Sequence, residues 1–333
     1  MKIAFFEIED WQKSFFKDCL KDYTLSFDSK PLTKENIGGA EDVEILSGMV
    51  YSKFSKEILS LFPNLRMITT RSTGFDHIDL EYCKLKNIAA CNVPEYGSNT
   101  VAEHTFALIL AVSRKIIPSV ERTKRGDFSL DGLRGFDLFG KTFGAIGVGH
   151  IAKAAIRIAK GFGMKVVVFS HHPDDDLARE LDFAWVDLPT LLSSSDIVSL
   201  HVPLTKETQH LINIENILHF KKGSLLINTS RGGVVQTEAI LLGLEKGVLT
   251  GAGLDVLEEE CFIKEETQLL TEEFLKQCDI KTQLLNHVLL TKKNVLVTPH
   301  NAFNSQEALQ RILSTTAGNI TSFLQGKTEN RVV

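Results

Sequence analysis

The chain alternates short runs of apolar and β-branched residues with longer stretches in which apolar positions recur at helical spacing. Four short runs come first, KIAFFEI, VEILSGM, LRMITT and NIAACNV, and an amphipathic stretch follows from about residue 100 to residue 117. Such runs, bounded by polar or turn-forming residues, are typical of strands. Regular alternation of strands with helices predicts parallel sheets covered by helices.

Six further runs continue the pattern: TFGAIG, KVVVFS, DIVSLHV, SLLINTS, TGAGLDV and NVLVTPH. With helical stretches between most of them, they predict a complete doubly wound unit of the Rossmann type. The last segment, SQEALQRILSTTAGNITSFLQG, is helical in pattern and has too little chain after it to form a domain. We expect it to pack on the first four strands.

The predicted fold class is therefore α/β with two domains. Residues 100–298 form the Rossmann-type doubly wound domain, which is inserted into a smaller, flavodoxin-like α/β domain made of residues 1–99 and 299–333. This arrangement predicts a cleft with two hinge crossings between the domains.

Composition and charge narrow the function classes. Of 333 residues, 37 are Lys or Arg and 42 are Asp or Glu, and no basic block has interleaved aromatic residues. Nucleic acid is therefore not an expected partner. The amino terminus carries Glu7 and Asp10 where a signal peptide would be apolar, and the most apolar stretch, residues 101–113, contains Glu103 and His104. We expect neither a targeting segment nor a membrane span.

The cysteines form an odd set of five without CxxC spacing. This pattern argues against a disulfide framework and against a zinc site, so no metal is expected. It fits a reducing cytoplasm. The five are Cys19, Cys83, Cys91, Cys261 and Cys278.

Two glycine motifs compete for the role of a phosphate-binding loop. GFDLFGKT, from Gly135 to Thr142, matches the P-loop pattern GxxxxGK[ST] at every position. A P-loop needs its Lys–Thr pair at the start of a helix, where amide groups and the positive end of the helix dipole face phosphate. Here the pair leads into FGAIG, a predicted strand, so we interpret the match as coincidental.

The second motif, GVGHIA, follows that strand and opens a helical stretch, after which KVVVFS supplies the next strand. This is the order of a dinucleotide-binding unit. Gly147 permits the tight turn, Gly149 lets the backbone approach a pyrophosphate, and Ala152 is small enough for the helix to pack on the strand. We predict dinucleotide binding through Gly147, Gly149, His150 and Ile151. The alternative is a glycine turn that binds nothing.

Four later stretches place polar groups at the ends of predicted strands: LHVPLT, NTSRGG, LDVLEEE and VTPHNAF. A buried parallel sheet does not otherwise need such groups, and the carboxyl ends of parallel strands are where α/β folds bind ligands. The chemistry of the protein is therefore expected at this edge of the sheet.

Together these motifs resemble the NAD-dependent D-isomer-specific 2-hydroxyacid dehydrogenases, and among them most closely the D-lactate dehydrogenases. TRSTGFDHIDL (residues 70–80) and NVPEYGSNTVAEH (residues 92–104) begin the resemblance, which covers essentially the whole chain. It implies the inserted-domain architecture and a homodimer. It also implies a catalytic arginine, glutamate and histidine, matching Arg231, Glu260 and His300, and cofactor contacts by His201, Pro203, Thr229, Ser230 and Asp255.

The chemistry of 2-keto acid reduction supports these roles. The reaction needs a group that holds the carboxylate, a proton donor for the carbonyl oxygen and a nicotinamide that delivers hydride. Arg231 can hold a carboxylate with two parallel charge-assisted hydrogen bonds. His300, when protonated, can be the general acid, and Glu260 beside it would raise its pKa. The alternatives are a surface arginine, a capped loop histidine and, for Glu258 to Glu260, a solvated run of charge.

We expect the backbone amides of Thr73 and Gly74 to hold the substrate carboxylate from the smaller domain. The loop STGFDHID contains no Arg or Lys to clamp a phosphorylated substrate, so a small acid with an apolar tail is favoured, pyruvate or a close homologue. Tyr96 and Phe303, with Phe75, would form the tail pocket. Glyoxylate and phosphite are alternative substrates, and a non-enzymatic dinucleotide sensor of the same fold is the alternative of another class.

The run KVVVFSHHPDDD bears on the choice of cofactor. NAD-specific members of the family end the second strand with an aspartate that binds the adenosine ribose and repels the extra phosphate of NADP. Ser170 stands there in this chain. His171 and His172 could contact a 2′-phosphate, whereas Asp174 to Asp176 would oppose one. We predict NAD or NADP as cofactor, with dual use or a preference for NADP; the alternative is that Ser170 binds the ribose and NAD is used.

One further histidine is predicted to be structural. His104 lies on the helix that begins near residue 100, and we expect that helix to pack against the other domain or a partner subunit.

Overall fold

The computed structural model describes residues 1–38, 42–259 and 279–333. The chain divides into two compact units, one formed by Met1–Tyr96 with Ser305–Val333 and the other by Gly97–Asn304. Each unit contains a parallel sheet and helices, so the predicted α/β class is confirmed. Among the described helices, none has both the length and the apolar character that crossing a membrane requires.

The described residues of the first unit form a five-stranded parallel sheet in the order β2-β1-β3-β4-β5. Its strands are β1 (Lys2–Phe5), β2 (Thr24–Phe27), β3 (Ile45–Gly48), β4 (Met67–Thr70) and β5 (Ala89–Cys91). The helices are α1 (Asp10–Cys19), α2 (Lys56–Leu59), α3 (Leu80–Lys86) and, after the second unit, α11 (Gln306–Leu324), with a 3-10 helix at Lys34–Asn36.

The carboxyl-terminal helix α11 packs on the first unit's sheet, as the sequence predicts. Its residues Leu313 and Ile320 share a buried cluster with Ile3 and Phe5 of β1 and with Phe16 of α1. Burying side chains of this size stabilises a fold by about 1.5–3 kcal/mol each. Distant ends of the chain are thereby joined in one core.

The second unit contains, within its described residues, a seven-stranded parallel sheet in the order β12-β11-β10-β9-β6-β7-β8. Its strands are β6 (Thr142–Ile146), β7 (Lys165–Phe169), β8 (Ala184–Trp185), β9 (Ile197–Leu200), β10 (Ser224–Asn228), β11 (Leu249–Leu254) and β12 (Val295–Val297). The chain runs outward from β6 to β8 and then returns to β9 beside β6. This reversal is the topological switch point of a Rossmann fold.

The helices of this unit begin with α4 (Ser98–Ser113) and α5 (Ile116–Lys124), which precede the sheet. The other helices within the described residues connect strands: α6 (His150–Gly161), α7 (Asp175–Leu181), α8 (Leu188–Ser194), α9 (Thr237–Glu245) and α10 (Ile280–Leu290), with 3-10 helices at Ile217–His219 and Gly232–Val234.

The sequence prediction lacked two strands, β2 and β8. Both lie at an edge of their sheet, and their residues are exposed or only partly buried. Edge strands of this kind do not need the continuous apolar run that identifies a buried strand.

The unit boundaries differ from the predicted ones. The sequence placed them at residues 99/100 and 298/299, whereas the structure has them at 96/97 and 304/305. The second difference has a physical cause, because Asp255, just after β11, accepts hydrogen bonds from the backbone amides of His300, Asn301 and Ala302. His300 and the residues that follow it, up to Asn304, therefore belong to the doubly wound unit.

Candidate active site

The turn between β6 and α6 has the geometry of a phosphate-binding loop. Gly147 has a φ of +95°, and a Cβ added there would lie 2.6 Å from the carbonyl oxygen of His201, so the backbone itself requires glycine. Gly149 has a φ of −65°, which any residue can adopt, and a Cβ there would meet no other part of the described chain within 4 Å. The backbone at Gly149 is therefore open to the close approach of a ligand.

The start of α6 completes this loop. His150 and Ile151 form its first turn, and the amide groups and positive dipole end of a helix start attract phosphate. Ala152 is fully buried, as close packing of the helix on the sheet requires. These residues fit the pyrophosphate of a dinucleotide. The competing motif does not bind phosphate in this way, because Thr142 begins strand β6 and not a helix, and Lys141 lies 3.5 Å from the carboxylate of Asp196.

The end of β7 carries the residues expected to choose the cofactor. Ser170 Oγ accepts a hydrogen bond from the backbone amide of His172 at 3.2 Å. The ring of His171 packs edge-on against Phe169, with centroids 5.3 Å apart. Asp174 accepts from two amides at the start of α7 and caps that helix. Ser170 thus stabilises its own turn, and one of the three aspartates is engaged in capping.

The loop after β9 brings an acidic residue toward the same turn. Hydrogen bonding from Thr205 is the main cause that lowers the pKa of the exposed Glu207, and the charge of His171 contributes in the same direction. Glu207 was not among the sequence candidates. Its negative charge acts, with the aspartates, against a phosphate near His171.

His201 lies at the switch point between β6 and β9. Its backbone amide donates to Ile146 at 2.8 Å. Although part of the residue is exposed, the ring Nε2 is buried and has no hydrogen-bond partner in the described structure. Burial lowers the pKa of His201 to about 4, so the ring is neutral near pH 7. An unpaired, neutral ring nitrogen here suits contact with a bound ligand.

Pro203 lies two residues after His201. Its carbonyl accepts a hydrogen bond from the hydroxyl of Thr208 at 2.6 Å.

The loop after β10 places Arg231. Asn228, at the end of β10, donates from its side-chain amide to the carbonyl of Arg231 at 2.9 Å and accepts from the amide and hydroxyl of Ser230 at 3.0 and 2.8 Å. A Cβ at Gly232 would lie 2.0 Å from the carbonyl oxygen of Leu257. The loop is therefore pinned to both β10 and the residues after β11.

Thr229, the first residue of this loop, is held from α4. Its hydroxyl lies 3.0 Å from that of Thr105. Arg231 is half-buried, and its guanidinium donates to the carbonyl of Ser230 at 2.8 Å.

Asp255 is a buried carboxylate, 1 % exposed, that organises the chain after β12. Its Oδ1 accepts from the hydroxyl of Thr298 and from the amide of Asn301 at 3.0 Å, and its Oδ2 accepts from Ala302 at 2.8 Å. Burial acts to raise the pKa of Asp255, but interactions with His104, with Thr298 and with the backbone amides of Ala302 and Asn301 outweigh it and hold the pKa below its usual value. The carboxylate is therefore ionised.

His300 adopts the left-handed region, with a φ of +52°. Its amide donates to the carbonyls of Asp255 and Thr298, both at 2.9 Å. A non-glycine residue in this conformation costs about 1–3 kcal/mol and persists only where its surroundings hold it. Glu260, the predicted partner of His300, lies outside the described residues, and its role stays a prediction.

The residue two positions before Glu260 has specific partners. Glu258 accepts from the amide and hydroxyl of Thr237, both at 3.0 Å, and also contacts His210 Nε2. The amide of Asn286 in α10 donates to its carbonyl at 2.8 Å. For Glu258, the alternative of a solvated run of charge is therefore wrong.

In the first unit, the predicted carboxylate-binding turn is well ordered by hydrogen bonds. The hydroxyl of Thr73 donates to Val93 at 3.0 Å, Asn92 donates to the carbonyl of Thr73 at 2.8 Å, and Ser72 donates to the carbonyl of Gly74 at 2.7 Å. The contact of the Thr73 and Gly74 amides with the substrate carboxylate stays a prediction.

Arg71, just before this turn, is a structural residue. It is 1 % exposed and donates to Ser47 and to the carbonyls of Phe6 and Glu7 at 2.6–3.0 Å. Burial lowers its pKa to about 10, and the charge of Glu7 opposes this. The arginine is therefore held within the unit's own core.

Tyr96 and Phe303 fall in different units. The carbonyl of Tyr96 accepts from Arg311 of α11 at 2.6 Å, and Phe303 is partly buried. The tail pocket that the sequence assigns to them stays a prediction.

Comparison with known proteins adds to this geometry. Residues 106–302 match the family model described as D-isomer specific 2-hydroxyacid dehydrogenase, NAD binding domain. The chain is 34% identical to the D-lactate dehydrogenase of Escherichia coli, with 98% of each chain covered. It is 35% identical to the glyoxylate reductase of Thermococcus litoralis, over 86% of this chain and 82% of that one.

Among solved structures, the chain is similar to D-lactate dehydrogenase from Aquifex aeolicus complexed with NAD and lactic acid. The TM-score is 0.88 at 36% identity, and 99% of each chain is covered.

Proposed function

Because this chain belongs to the family of D-isomer specific 2-hydroxyacid dehydrogenases, we propose that it reduces a small 2-keto acid, with pyruvate to D-lactate as the favoured reaction. The chain is an oxidoreductase acting on CH–OH groups and carries the family's NAD-binding domain. The choice of substrate and the roles of individual residues are the proposed part.

The observation that carries the proposal is a hydrogen-bonded path between Arg231 and His300 across three neighbouring strand ends. Arg231 follows β10, Asp255 follows β11 and His300 follows β12. Asn228 binds the carbonyl of Arg231 through its side chain and accepts from the amide of Asp255 at 2.9 Å, and Asp255 in turn accepts from the amide of His300 at 2.9 Å. A cation suited to a carboxylate and a titratable histidine thus lie at one edge of the sheet.

In the proposed mechanism, Arg231 holds the substrate carboxylate with paired hydrogen bonds and so fixes the orientation of the carbonyl carbon. His300 in its protonated form donates a proton to the carbonyl oxygen, and takes it back in the oxidation direction. Gly147, Gly149, His150 and Ile151 would hold the pyrophosphate of NADH, and the rest of the cofactor would contact His201, Pro203, Thr229 and Ser230. The nicotinamide would supply the hydride. Glu260 is proposed as the carboxylate that favours the protonated form of His300.

The hydrogen bonds of Asp255 support a role beyond its predicted cofactor contact. Since Oδ1 already accepts from Thr298 and Asn301 and Oδ2 from Ala302, its carboxylate is largely used within the protein. We propose that it acts mainly by holding the loop that carries His300.

Glyoxylate is the second candidate substrate, supported by the similarity to an archaeal glyoxylate reductase. The proposal predicts a kcat/KM for pyruvate that exceeds the value for glyoxylate with the same cofactor. Both are measured by nicotinamide absorbance, and the chirality of the lactate is determined by chiral chromatography. A higher kcat/KM for glyoxylate would reassign the substrate, and L-lactate as product would contradict the stereochemistry.

We also propose that the chain uses NADPH as well as NADH. The support is Ser170, which cannot repel a 2′-phosphate, together with the exposed His171 and His172 next to it. Asp174 to Asp176 and Glu207 keep NAD competitive, because their negative charge opposes that phosphate.

The ratio of kcat/KM for NADPH to that for NADH tests this directly. We expect comparable values in the parent protein and a fall of the ratio in Ser170→Asp, which restores both the ribose contact and the repulsion. The matched control is Ser193→Asp on helix α8, an exposed serine, which should leave the ratio unchanged. A strong preference of the parent for NADH would contradict dual use.

A homodimer is proposed as the assembly. Exposed apolar side chains are concentrated on α5 and on the chain between α5 and β6, with Phe128, Leu130 and Phe139 exposed by 78%, 81% and 82%. Such a concentration favours protein–protein contact. Sedimentation velocity should give the mass of two chains, and Leu130→Asp combined with Phe139→Asp should shift it toward one. A parent protein that sediments as a monomer would contradict the proposal.

Localisation in the cytoplasm is proposed on the state of two cysteines. Cys83 and Cys91 are buried free thiols, and burial raises the pKa of each to about 11. Unpaired thiols are typical of reducing compartments. Cell fractionation tests this, and recovery in a secreted or membrane fraction would contradict it.

A further inference from the structure

A histidine from helix α4 completes the buried cluster around Asp255. His104 Nε2 lies 3.0 Å from the hydroxyl oxygen of Thr298 and 3.4 Å from Asp255 Oδ1. The side chains of His104 and Asp255 are 22% and 1% exposed. Thus α4, β11 and the end of β12 each contribute one polar side chain to the cluster.

The hydrogen-bond pattern fixes which atom donates. Thr298 gives its hydroxyl hydrogen to Asp255 Oδ1, so the oxygen of Thr298 acts as acceptor toward His104. His104 therefore carries a hydrogen on Nε2 and donates to the pair. An ionised carboxylate that is buried needs such donors, because each one lost leaves it less well solvated.

The same cluster controls the backbone of His300. The carbonyls of Asp255 and Thr298 both accept from the amide of His300 at 2.9 Å, and the Asp255 carboxylate binds the amides of Asn301 and Ala302 at 3.0 and 2.8 Å. His300 sits between these anchors in its left-handed conformation, with a φ of +52°. A shift of Asp255 or Thr298 would therefore move the histidine.

We propose that His104 is a positioning residue for His300. By donating to Thr298 and Asp255, it fixes the two groups that hold the strained backbone of the proton donor. This role rests on the proposed function, in which His300 protonates the substrate. In this role His104 acts through Thr298 and Asp255, so its loss should slow hydride and proton transfer and leave cofactor affinity unchanged.

The experiment compares the parent protein with His104→Phe, which keeps an aromatic ring without a donor, and with His104→Gln, whose side-chain amide can replace Nε2–H. The control is His219→Phe, an exposed histidine in the 3-10 helix at Ile217–His219. Single-turnover reduction of pyruvate and of glyoxylate is followed by stopped flow, with the enzyme preloaded with one equivalent of NADH per site and mixed with excess keto acid. The amplitude gives the fraction of active sites, and the rate constant gives the step that His300 assists. Fluorescence titration gives the Kd for NADH.

We expect His104→Phe to keep full amplitude and an unchanged Kd while its rate constant falls by about tenfold to a hundredfold, as small errors in the placement of a catalytic group do. His104→Gln should recover most of the rate, and His219→Phe should match the parent. An unchanged rate in His104→Phe, a reduced amplitude at the parental rate, or a His104→Gln as slow as His104→Phe would each overturn the role. A parent that turns over neither acid would instead contradict the proposed function, and the positioning role would fall with it.

Discussion

The two glycines of the turn after β6 provide a matched test of the dinucleotide site, because the structure indicates a different physical reason for glycine at each position. Gly147 is required by the fold, since an added Cβ would lie 2.6 Å from the carbonyl oxygen of His201 and 2.8 Å from the side chain of Val202. Gly149 meets no such obstacle within 4 Å. Alanine at Gly147 should therefore lower the stability of the fold, and alanine at Gly149 should lower only the affinity for the cofactor.

The magnitudes follow from these contacts. Alanine at a φ of +95° costs about 1–3 kcal/mol in backbone strain, and overpacking against the backbone adds about 1–3 kcal/mol. For a unit of this size each kcal/mol lowers Tm by about 2–4 °C, so Gly147→Ala should lower it by about 5 °C or more. Gly149→Ala should change the free energy of unfolding by less than about 1 kcal/mol. The added methyl group would keep the pyrophosphate away from the backbone amides, and losing one charge-assisted hydrogen bond in this way should weaken NADH binding by about tenfold to a hundredfold.

The assay measures Tm without cofactor and the Kd for NADH by fluorescence titration. Gly161→Ala, at the other end of helix α6, serves as control, since a Cβ there also meets nothing within 4 Å. This variant should bind the cofactor as the parent does and should not lose stability. The reasoning is refuted if Gly149→Ala binds NADH as the parent does, or if it loses as much stability as Gly147→Ala.

Substitutions at Arg231, at the glycines that follow it and at His201 test three further properties of the site. Arg231→Lys keeps the charge but loses the paired hydrogen bonds to the substrate carboxylate, so the KM for pyruvate should rise and kcat should fall. The Kd for NADH should stay constant. Parental kinetics would contradict the role of Arg231 in holding the carboxylate. Gly232→Ala should destabilise the fold, because its Cβ would lie 2.0 Å from the carbonyl oxygen of Leu257. Gly233→Ala should be tolerated, because its Cβ would lie 3.3 Å from the side chain of Leu204. Equal Tm values of the two variants would contradict this difference. Burial lowers the pKa of His201 from 6.5 to about 4. Between these two pH values the folded state binds fewer protons than the unfolded state, so the protein loses stability as the pH falls. The loss should be about 2 kcal/mol between pH 7 and pH 5. Urea unfolding at both pH values should show a smaller loss in His201→Gln, and an equal loss would contradict the assignment.

Much of the fold is predictable from the sequence because parallel strands are buried on both faces and appear as apolar runs. Nine of the ten runs named in the sequence contain a whole strand of the structure, and the tenth, TGAGLDV, contains all but the first residue of β11. The two strands without such a run, β2 and β8, are exposed edges. The glycine turn is equally predictable, since its meaning depends only on the local order of strand, turn and helix.

The support for the site was less predictable, because it depends on contacts that are distant in sequence. His104 and Thr298 are separated by 194 residues, and the spacing of neither residue indicates the other. The prediction treated His104 as structural and Asp255 as a cofactor contact. The structure adds contacts that neither pattern indicates, because both residues are joined to the loop of His300. Similarly, Glu258 resembled a solvated charge in the run of glutamates, yet Thr237, His210 and Asn286 all bind it.

The central claim is that His300 is the proton donor in the reduction of a small 2-keto acid. The most direct measurement is the single-turnover rate of pyruvate reduction by NADH in the parent protein and in His300→Gln, with the Kd for NADH measured alongside. We predict reduction by the parent and a loss of about 10²- to 10⁴-fold in rate for the variant, at an unchanged Kd. A parental rate in His300→Gln would contradict the claim.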